Sequence, residues 1–319
     1  MPFHAVYPDA DASNRTRVEA LPCPPGFSLD VHLAPVVDDD AFVARCADAD
    51  GILLGWHVMS AAVLARLPRL RCVSFLGIGA SAYVDLDAAR ERGIAVCNTP
   101  GYGDRTVAEH ALALMLAAAR HVTHFDRLTR RGEWRQDPPG TDLSGATLAL
   151  VGFGGIARAL AGLVRGLEMR VVAWTPNPDR HRAEAARLGV TFRELDDALG
   201  EADVVSVHVA LAPETIGLVD ARRIARMRRG AILVNTARGP IVDQSAVAAA
   251  LTSGHLGAAG LDVLAEEPPS PADPLLTAPR AVLTPHVAFN TPAARARIVE
   301  LGVENLTAFA AGRPVRRLV

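Results

Sequence analysis

A glycine-rich turn between an apolar strand-like run and an amphipathic run constrains the fold more than any other feature of this 319-residue sequence. The stretch TLALVGFGGIARALAGL places Gly152, Gly154 and Ala157 in a G-x-G-x-x-A arrangement. The first glycine permits a tight turn, the second lets backbone N–H groups approach a diphosphate, and the third small residue allows close helix–strand packing. The sequence therefore predicts a dinucleotide-binding β–turn–α unit, with Gly152, Gly154, Gly155 and Ile156 at the cofactor.

The end of the following strand should carry an acidic residue that binds the ribose of NAD, about 20 residues beyond the first glycine. In VVAWTPNPDRHR that position falls near Thr175, with Asn177, Arg180 and Arg182 close behind. Hydroxyl, amide and guanidinium groups could hold a 2′-phosphate, which favours NADP. The alternative is that these arginines are ordinary solvated charges on a helix. The sequence therefore leaves NAD and NADP open as cofactors.

Strand-like and helix-like runs alternate along nearly the whole chain, which is typical of parallel α/β architecture. The length predicts two domains. We expect an α/β fold of two doubly wound parallel-sheet domains. Residues 99–287 would form a Rossmann NAD(P)-binding domain. Residues 1–98 would form a smaller, flavodoxin-like substrate domain, joined by 288–319 because a terminal helix without a following strand would pack back on it.

Composition excludes several classes of protein. The formal net charge of −2 gives no basic excess for nucleic-acid binding. The sequence contains no lysine, which excludes Schiff-base chemistry and a Walker A phosphate site. We expect no membrane segment, no leader sequence and no metal site. The scattered cysteines, which are Cys23, Cys46, Cys72 and Cys97, are predicted to be buried reduced thiols, as in a cytoplasmic protein.

Three motifs follow successive strands, where open α/β sheets bind their ligands. They are NTARG with Arg238, LDVLAEEPP with Glu267 and TPHVAFNT with His286. Reduction of a keto acid needs a hydride, a proton donor that changes charge near neutral pH, and a planar donor for the substrate carboxylate and carbonyl. His286 suits the proton transfer, Glu267 would fix its tautomer, and Arg238 would bind the substrate.

These motifs resemble, in the same order along the chain, those of the D-isomer-specific 2-hydroxy acid dehydrogenases. The similarity also covers GIAVCNTPGYGDRTVAEHALALMLAAAR, LSGATLALVGFGGIARAL and VSVHVALAPETIGLV. The resemblance implies hydride transfer between NAD(P)H and C2 of a 2-keto or 2-hydroxy acid, of the glyoxylate or hydroxypyruvate type or larger. It implies that Arg238 binds substrate, that His286 is the acid/base and that Glu267 is its partner.

The resemblance also implies further contacts. Asp262 would hold the nicotinamide carboxamide, and His208 and Thr236 would line the cofactor cleft. Backbone amides of one early loop would bind the substrate carboxylate; its residues are Leu76, Gly77, Ile78 and Gly79. Members of the family usually form homodimers, here through a helix at residues 106–120.

The sequence departs from the family's pattern in places. Ala157 replaces the third glycine, which is a tolerated change. Phe289 and Asn290 stand where small residues are commoner, and GWHVMS brings Trp56, His57 and Met59 to a loop expected near substrate. These side chains either shape an unusual pocket or simply pack. Two other functions remain open: an NAD(H)-sensing corepressor, and a dehydrogenase of formate or phosphite.

Overall fold

The computed structural model describes residues 2–319 and divides into two compact units. The first unit comprises the described part of Met1–Gly103 together with Asn290–Val319, and the second comprises Asp104–Phe289. The chain thus leaves the first unit and returns to it at the end. The expected boundaries, after residues 98 and 287, lie a few residues before those observed after 103 and 289.

The first unit is built on a five-stranded, all-parallel sheet with the order β2-β1-β3-β4-β5. Its strands are β1 (Phe3–Tyr7), β2 (Phe27–Val31), β3 (Gly51–Leu54), β4 (Cys72–Phe75) and β5 (Ala95–Cys97). Its helices are α1 (Ala12–Glu19), α2 (Asp39–Cys46), α3 (Ala61–Ala65), α4 (Leu86–Glu91) and the terminal α12 (Pro292–Ala310). This strand order is that of a flavodoxin-like doubly wound sheet, as predicted.

The second unit opens with two helices, α5 (Asp104–Ala119) and α6 (Val122–Arg130), and contains a seven-stranded parallel sheet. The sheet order is β12-β11-β10-β9-β6-β7-β8. The strands are β6 (Thr147–Val151), β7 (Arg170–Trp174), β8 (Thr191–Phe192), β9 (Val204–Val207), β10 (Ala231–Asn235), β11 (Leu256–Leu261) and β12 (Ala281–Leu283). The remaining helices are α7 (Gly155–Val164), α8 (Arg182–Leu188), α9 (Leu195–Glu201), α10 (Ala221–Arg226) and α11 (Gln244–Thr252).

The central strands are hydrophobic throughout because helices cover both faces of each sheet. Every residue of β6, β9 and β10 is buried. In the second unit, one apolar cluster joins α5 and α7 to the sheet, and a separate cluster joins α9, α10 and α11 to it. These two clusters lie on the two sides of the sheet, so its strands are held between two packed layers.

Side-chain caps fix where several helices begin. Asp38, Ser60 and Asp243 each accept a hydrogen bond from a first-turn backbone amide, at the starts of α2, α3 and α11. The helix expected at residues 106–120 begins two residues earlier, at Asp104. One cysteine prediction is wrong: Cys23 is exposed, because it lies in the loop before β2, whereas the other three are buried. No helix within residues 2–319 is long and apolar enough to span a bilayer.

Candidate active site

The second unit brings His286 and Glu267 into direct contact. Nδ1 of His286 lies 2.7 Å from Oε2 of Glu267, and the other carboxylate oxygen accepts a hydrogen bond from the amide of Leu264 at 2.9 Å. His286 has a φ of 52°, an unusual conformation for a residue that carries a side chain. Its amide donates to the carbonyls of Asp262 and Thr284, which stabilise this strained backbone.

Opposing effects act on the ionisation of Glu267. Burial disfavours the charged carboxylate, but hydrogen bonds from His286 and the Leu264 amide, and the positive charges of His286 and Arg238, more than compensate. The pKa of Glu267 is therefore lowered from its ordinary value. Glu267 is thus a carboxylate at neutral pH. It provides a hydrogen-bond acceptor for Nδ1 of His286 and leaves Nε2 of that ring free.

The turn after β10 positions Arg238. The side chain of Asn235 is buried and bridges the turn, because its Nδ2 donates to the Arg238 carbonyl at 3.0 Å and its Oδ1 accepts from the Ala237 amide at 2.9 Å. Gly239 packs so closely on the backbone of Leu264 that a β-carbon would overlap it. The arginine-bearing turn and the loop that carries Glu267 are therefore held against each other.

Asp262 is the centre of a buried network beneath His286. Its Oδ1 accepts from Thr284 Oγ1 at 2.6 Å and from the Val287 amide at 2.9 Å, and its Oδ2 accepts from the Ala288 amide at 2.9 Å. His110 Nε2 lies 3.4 Å from Oδ1. Burial opposes ionisation of Asp262, yet these hydrogen bonds lower its pKa. The carboxylate has no exposed surface, and its contacts fix the loop that carries His286. The contact of Asp262 with the nicotinamide carboxamide stays a prediction.

Two members of this network were not singled out from the sequence. His110 projects from α5 and places Nε2 3.0 Å from Thr284 Oγ1. The available signal was a histidine inside the otherwise apolar stretch VAEHALALMLAAA. Thr284 belonged to the TPH motif but had no role attached to it.

The glycine-rich turn has the space and the donors that a dinucleotide needs. Gly152 has a φ of 102°, and a β-carbon there would meet backbone atoms of His208 and Val209 at 2.8 Å. A β-carbon on Gly154 would meet open space. No side chain caps α7, so the first amides of this helix lack protein acceptors within residues 2–319. These features fit a diphosphate at the helix N-terminus.

Of the other predicted cofactor residues, His208 lies against this turn. Gly152 directly follows β6 and His208 directly follows β9, so they lie side by side where the chain reverses its order across the sheet. Burial lowers the pKa of His208 to about 4, and its Nε2 lies 2.8 Å from Ser206 Oγ. The ring is therefore neutral. The hydroxyl of Thr236 is buried without a hydrogen-bond partner among the described residues, as expected where a polar ligand is to bind.

The end of β7 carries no carboxylate that could bind a ribose directly. Thr175 is half-buried and Asn177 is exposed. Beyond them, Asp179 forms an ion pair with Arg182, whereas Arg180 is exposed and forms no ion pair within the described chain. Arg180 is thus the cation in this segment that no acidic residue neutralises.

In the first unit, the loop after β4 presents two unused donors. The amides of Leu76 and Gly77 donate to the carbonyls of Leu54 and Phe75, so neither is free. The amides of Ile78 and Gly79 have no acceptor among residues 2–319. Side-chain bonds fix the loop, because Asn98 Nδ2 donates to the Ile78 carbonyl at 3.0 Å and Thr99 Oγ1 to the Gly77 carbonyl at 3.2 Å.

The residues of GWHVMS have different surroundings. Met59 is fully buried in the core of the first unit, so it packs rather than lining a surface. The His57 ring stacks on Phe42 with centroids 4.0 Å apart, and its Nε2 lies 3.1 Å from Asp39 Oδ1. Trp56 is 61% exposed and meets the Tyr83 ring edge-on at 6.3 Å.

Of the two bulky residues after His286, Phe289 ends the second unit and Asn290 begins the returning part of the first. The ring of Phe289 lies edge-on to that of His286, with centroids 6.3 Å apart. Within residues 2–319, no cluster of three or more histidine, cysteine or acidic side chains could bind a metal ion.

Comparison with known proteins identifies the family. Residues 112–288 match the profile described as D-isomer specific 2-hydroxyacid dehydrogenase, NAD binding domain. The chain belongs to this family of dehydrogenases. The matched segment contains the glycine-rich turn and all three motifs with Arg238, Glu267 and His286, so the family resemblance seen in the sequence is confirmed.

Individual dehydrogenases of the family are similar over most of the chain. A glyoxylate reductase of Korarchaeum cryptofilum is 39% identical over 92% of this chain and 86% of its own. A D-3-phosphoglycerate dehydrogenase of Archaeoglobus fulgidus is 39% identical over 82% of this chain but 49% of its own, so this chain spans about half the length of that relative. The crystal structure of a Thermus thermophilus protein has a TM-score of 0.85 at 38% identity and covers 99% of both chains.

Proposed function

We propose that this dehydrogenase-family chain reduces a small 2-keto acid to the 2-hydroxy acid with NADH or NADPH, and catalyses the reverse oxidation. The observation that supports this most is the pairing of His286 with Glu267 at 2.7 Å, beside the charge of Arg238. An imidazole, a carboxylate and a guanidinium so arranged provide a proton donor, its orienting partner and an anion-binding group. When bound, the nicotinamide supplies the hydride.

His286 transfers the proton in this proposal. Because Glu267 holds Nδ1, the free Nε2 is the atom that faces a substrate oxygen and delivers the proton to it during reduction. The ionised Glu267 stabilises the positively charged ring before transfer and fixes its orientation. In the reverse direction, neutral Nε2 removes the hydroxyl proton.

Arg238 binds the acid in this proposal. A guanidinium can donate two parallel hydrogen bonds to a carboxylate or to a carboxylate and its neighbouring carbonyl. In the first unit, the free amides of Ile78 and Gly79 are neutral donors suited to a carboxylate. We propose that Phe289, whose ring lies edge-on to that of His286, limits the size of the group on C2.

For the cofactor, we propose Gly152, Gly154, Gly155 and Ile156 at the diphosphate, and Thr175 and Asn177 at the adenosine ribose. His208, Thr236 and Asp262 complete the cleft. The unpaired Arg180 favours a 2′-phosphate, and therefore NADPH, whereas NADH needs only the hydroxyl and amide groups of Thr175 and Asn177.

The test is a substrate panel with the purified protein. Glyoxylate, hydroxypyruvate, pyruvate and phenylpyruvate are each offered with NADH and NADPH, and cofactor absorbance is followed. We expect turnover with at least one acid, and R238K should raise its KM by about tenfold or more because a bidentate contact is lost. Cofactor binding without turnover of any acid would favour a dinucleotide-sensing protein. Formate and phosphite are offered separately with NAD⁺ and NADP⁺, and turnover of one of these alone would favour a formate or phosphite dehydrogenase.

We further propose a homodimer and a cytoplasmic location. Apolar side chains are exposed along one stretch of the second unit, at Leu116 on α5, at Val122 on α6 and at Trp134, which is 87% exposed. No residue of α6 is buried within the chain. A second copy would cover such a surface. The three buried free thiols are consistent with a reducing compartment.

A further inference from the structure

A carboxylate lies directly against the diphosphate-binding turn. Asp104 is the first residue of α5, and its side chain contacts Gly155, the first residue of α7, so closely that a β-carbon on Gly155 would overlap the carboxylate. Asp104 accepts no hydrogen bond from any protein donor within residues 2–319. The carboxylate is therefore close to the helix N-terminus without using its amides.

This placement opposes the binding of a dinucleotide. The free amides of α7 attract a negatively charged diphosphate. The Asp104 carboxylate lies beside the position that this diphosphate would occupy. The repulsion between two negative charges is weaker where both are exposed to solvent. Asp104 is partly buried, so its repulsion of the diphosphate is only partly screened. The nearest compensating charge is Arg158 on α7, whose Nε lies 3.3 Å from the Gly154 carbonyl.

The surroundings of Asp104 make its charge sensitive to pH. Burial raises the pKa of the Asp104 carboxyl, and Arg158 partly offsets that effect. His181 is a further titratable group near Arg158. Its pKa is lowered by burial and by the positive charges of Arg158 and Arg180. On α5 itself, Arg105 is paired with Glu109 at 2.7 Å and so does not neutralise Asp104. Asp104 therefore takes up a proton at a higher pH than an ordinary aspartate does.

We propose that Asp104 is an electrostatic brake on cofactor binding, which weakens the affinity for the diphosphate of the dinucleotide at neutral and alkaline pH and is released by protonation. Binding of the cofactor and protonation of Asp104 favour each other, so the dinucleotide should bind with uptake of a proton in mildly acidic solution. The proposal rests on the proposed function, because it requires that this turn binds a dinucleotide.

The test compares D104N with D197N by calorimetric titration. Both variants remove one negative charge from the second unit, but Asp197 is exposed on α9, on the other side of the sheet from α7. NADH and ADP-ribose carry the diphosphate, and adenosine lacks it. At pH 8, D104N should bind NADH and ADP-ribose about three- to tenfold more tightly than wild type, as expected for one screened charge contact. D197N should match wild type, and adenosine should show no gain with either variant.

Proton uptake provides a second readout, obtained from binding enthalpies in buffers of different ionisation heat. Wild type should take up a fraction of a proton with NADH below neutral pH, and D104N should take up less. Equal affinities and uptake in D104N and wild type would overturn the proposal, as would weaker binding by D104N, which would make Asp104 a favourable cofactor contact. Absence of any dinucleotide binding by wild type would overturn the proposed function as well, so the two failures are distinguishable.

Discussion

Glu267 contacts His286 through one carboxylate oxygen and the Leu264 amide through the other, so the residue that orients the imidazole is itself anchored to the backbone. Both oxygens are thereby fixed, and rotation of the carboxylate would break one bond or the other. The positive φ of His286 is maintained by two hydrogen bonds from its amide. The pair is held in place before any substrate arrives, which is the condition for efficient proton transfer.

Replacing His286 by glutamine should remove proton transfer while keeping a polar side chain of similar length. We expect H286Q to lower kcat by about 10²- to 10⁴-fold, the usual contribution of a positioned acid or base. The Kd for NADH, measured by fluorescence, should stay near the wild-type value because His286 acts on the substrate. A kcat within a fewfold of wild type would contradict the assignment of His286.

Replacing Glu267 by glutamine should move the pH dependence rather than simply abolish activity. The pKa of Glu267 is lowered, so in wild type the side chain stays ionised at pH values where an ordinary glutamate takes up a proton. Its contribution to stability is lost only as the pH falls through that lowered pKa. E267Q has no carboxylate at any pH. Its protonated imidazole is less stabilised, so the alkaline limb of the rate profile for reduction should move to lower pH.

The measurement is kcat for keto acid reduction across pH 5 to 9, at saturating cofactor. E266Q is the matched control, because Glu266 is the adjacent acid and forms no ion pair within residues 2–319. Superimposable limbs for E267Q and wild type would show that the carboxylate does not stabilise the charged ring.

The buried carboxylate of Asp262 should matter for the loop that carries His286. D262N replaces one acceptor oxygen by a donor, so it conflicts with the Thr284 hydroxyl or with one of two backbone amides. We expect a loss of about 1–3 kcal/mol in the free energy of unfolding, measured by urea titration at pH 7, together with a lower kcat. Because the pKa of Asp262 is lowered, this difference should persist at mildly acidic pH and shrink only as the pH falls through that lowered value.

T284V tests the same network from the other side. It removes one hydroxyl donor to Asp262 and the partner of His110, but keeps the two amide donors. A smaller loss of stability than in D262N is expected. An unfolding free energy of D262N equal to that of wild type would mean that the network does not hold the loop.

Residues that belong to a short sequence motif could be predicted from the sequence. Residues whose role depends on a partner far away in the chain could not. Gly152, Arg238 and His286 belong to short motifs after strands, where one stretch of sequence contains the whole signal. The significance of His110 depends on Thr284, which is 174 residues away in the chain. Likewise, Asp104 and Gly155 meet only because α5 packs on α7. No local pattern marks such pairs before the chain is folded.

Errors of the sequence analysis also have physical causes. Strand β2 and helix α1 each have a single buried residue, and β2 is an edge strand of the first sheet. Cys23, in the loop between them, was wrongly expected to be buried. The strands in the middle of each sheet are instead continuous apolar runs, the pattern that predicts parallel α/β architecture.

The unpaired Arg180 should decide between the cofactors. If it binds a 2′-phosphate, R180A should lower kcat/KM for NADPH by about tenfold or more and leave NADH unchanged, because the lost contact is a charge-assisted one. R182A is the matched control, since Arg182 is already engaged with Asp179. A strong preference of the wild type for NADH, with no change in R180A, would remove Arg180 from the cofactor site.

The exposed apolar stretch on α5 should control assembly. Leu116 is 40% exposed, and Leu276, at the end of the 3₁₀ helix Pro274–Leu276 of the same unit, is 42% exposed. L116E and L276E therefore place the same charge at equally accessible positions. A charge buried in a subunit interface is costly because it loses water without gaining a partner. We expect sedimentation to show a dimer for wild type and L276E and a monomer for L116E. A monomeric wild type, or a dimeric L116E, would place any pairing of subunits elsewhere than on this helix.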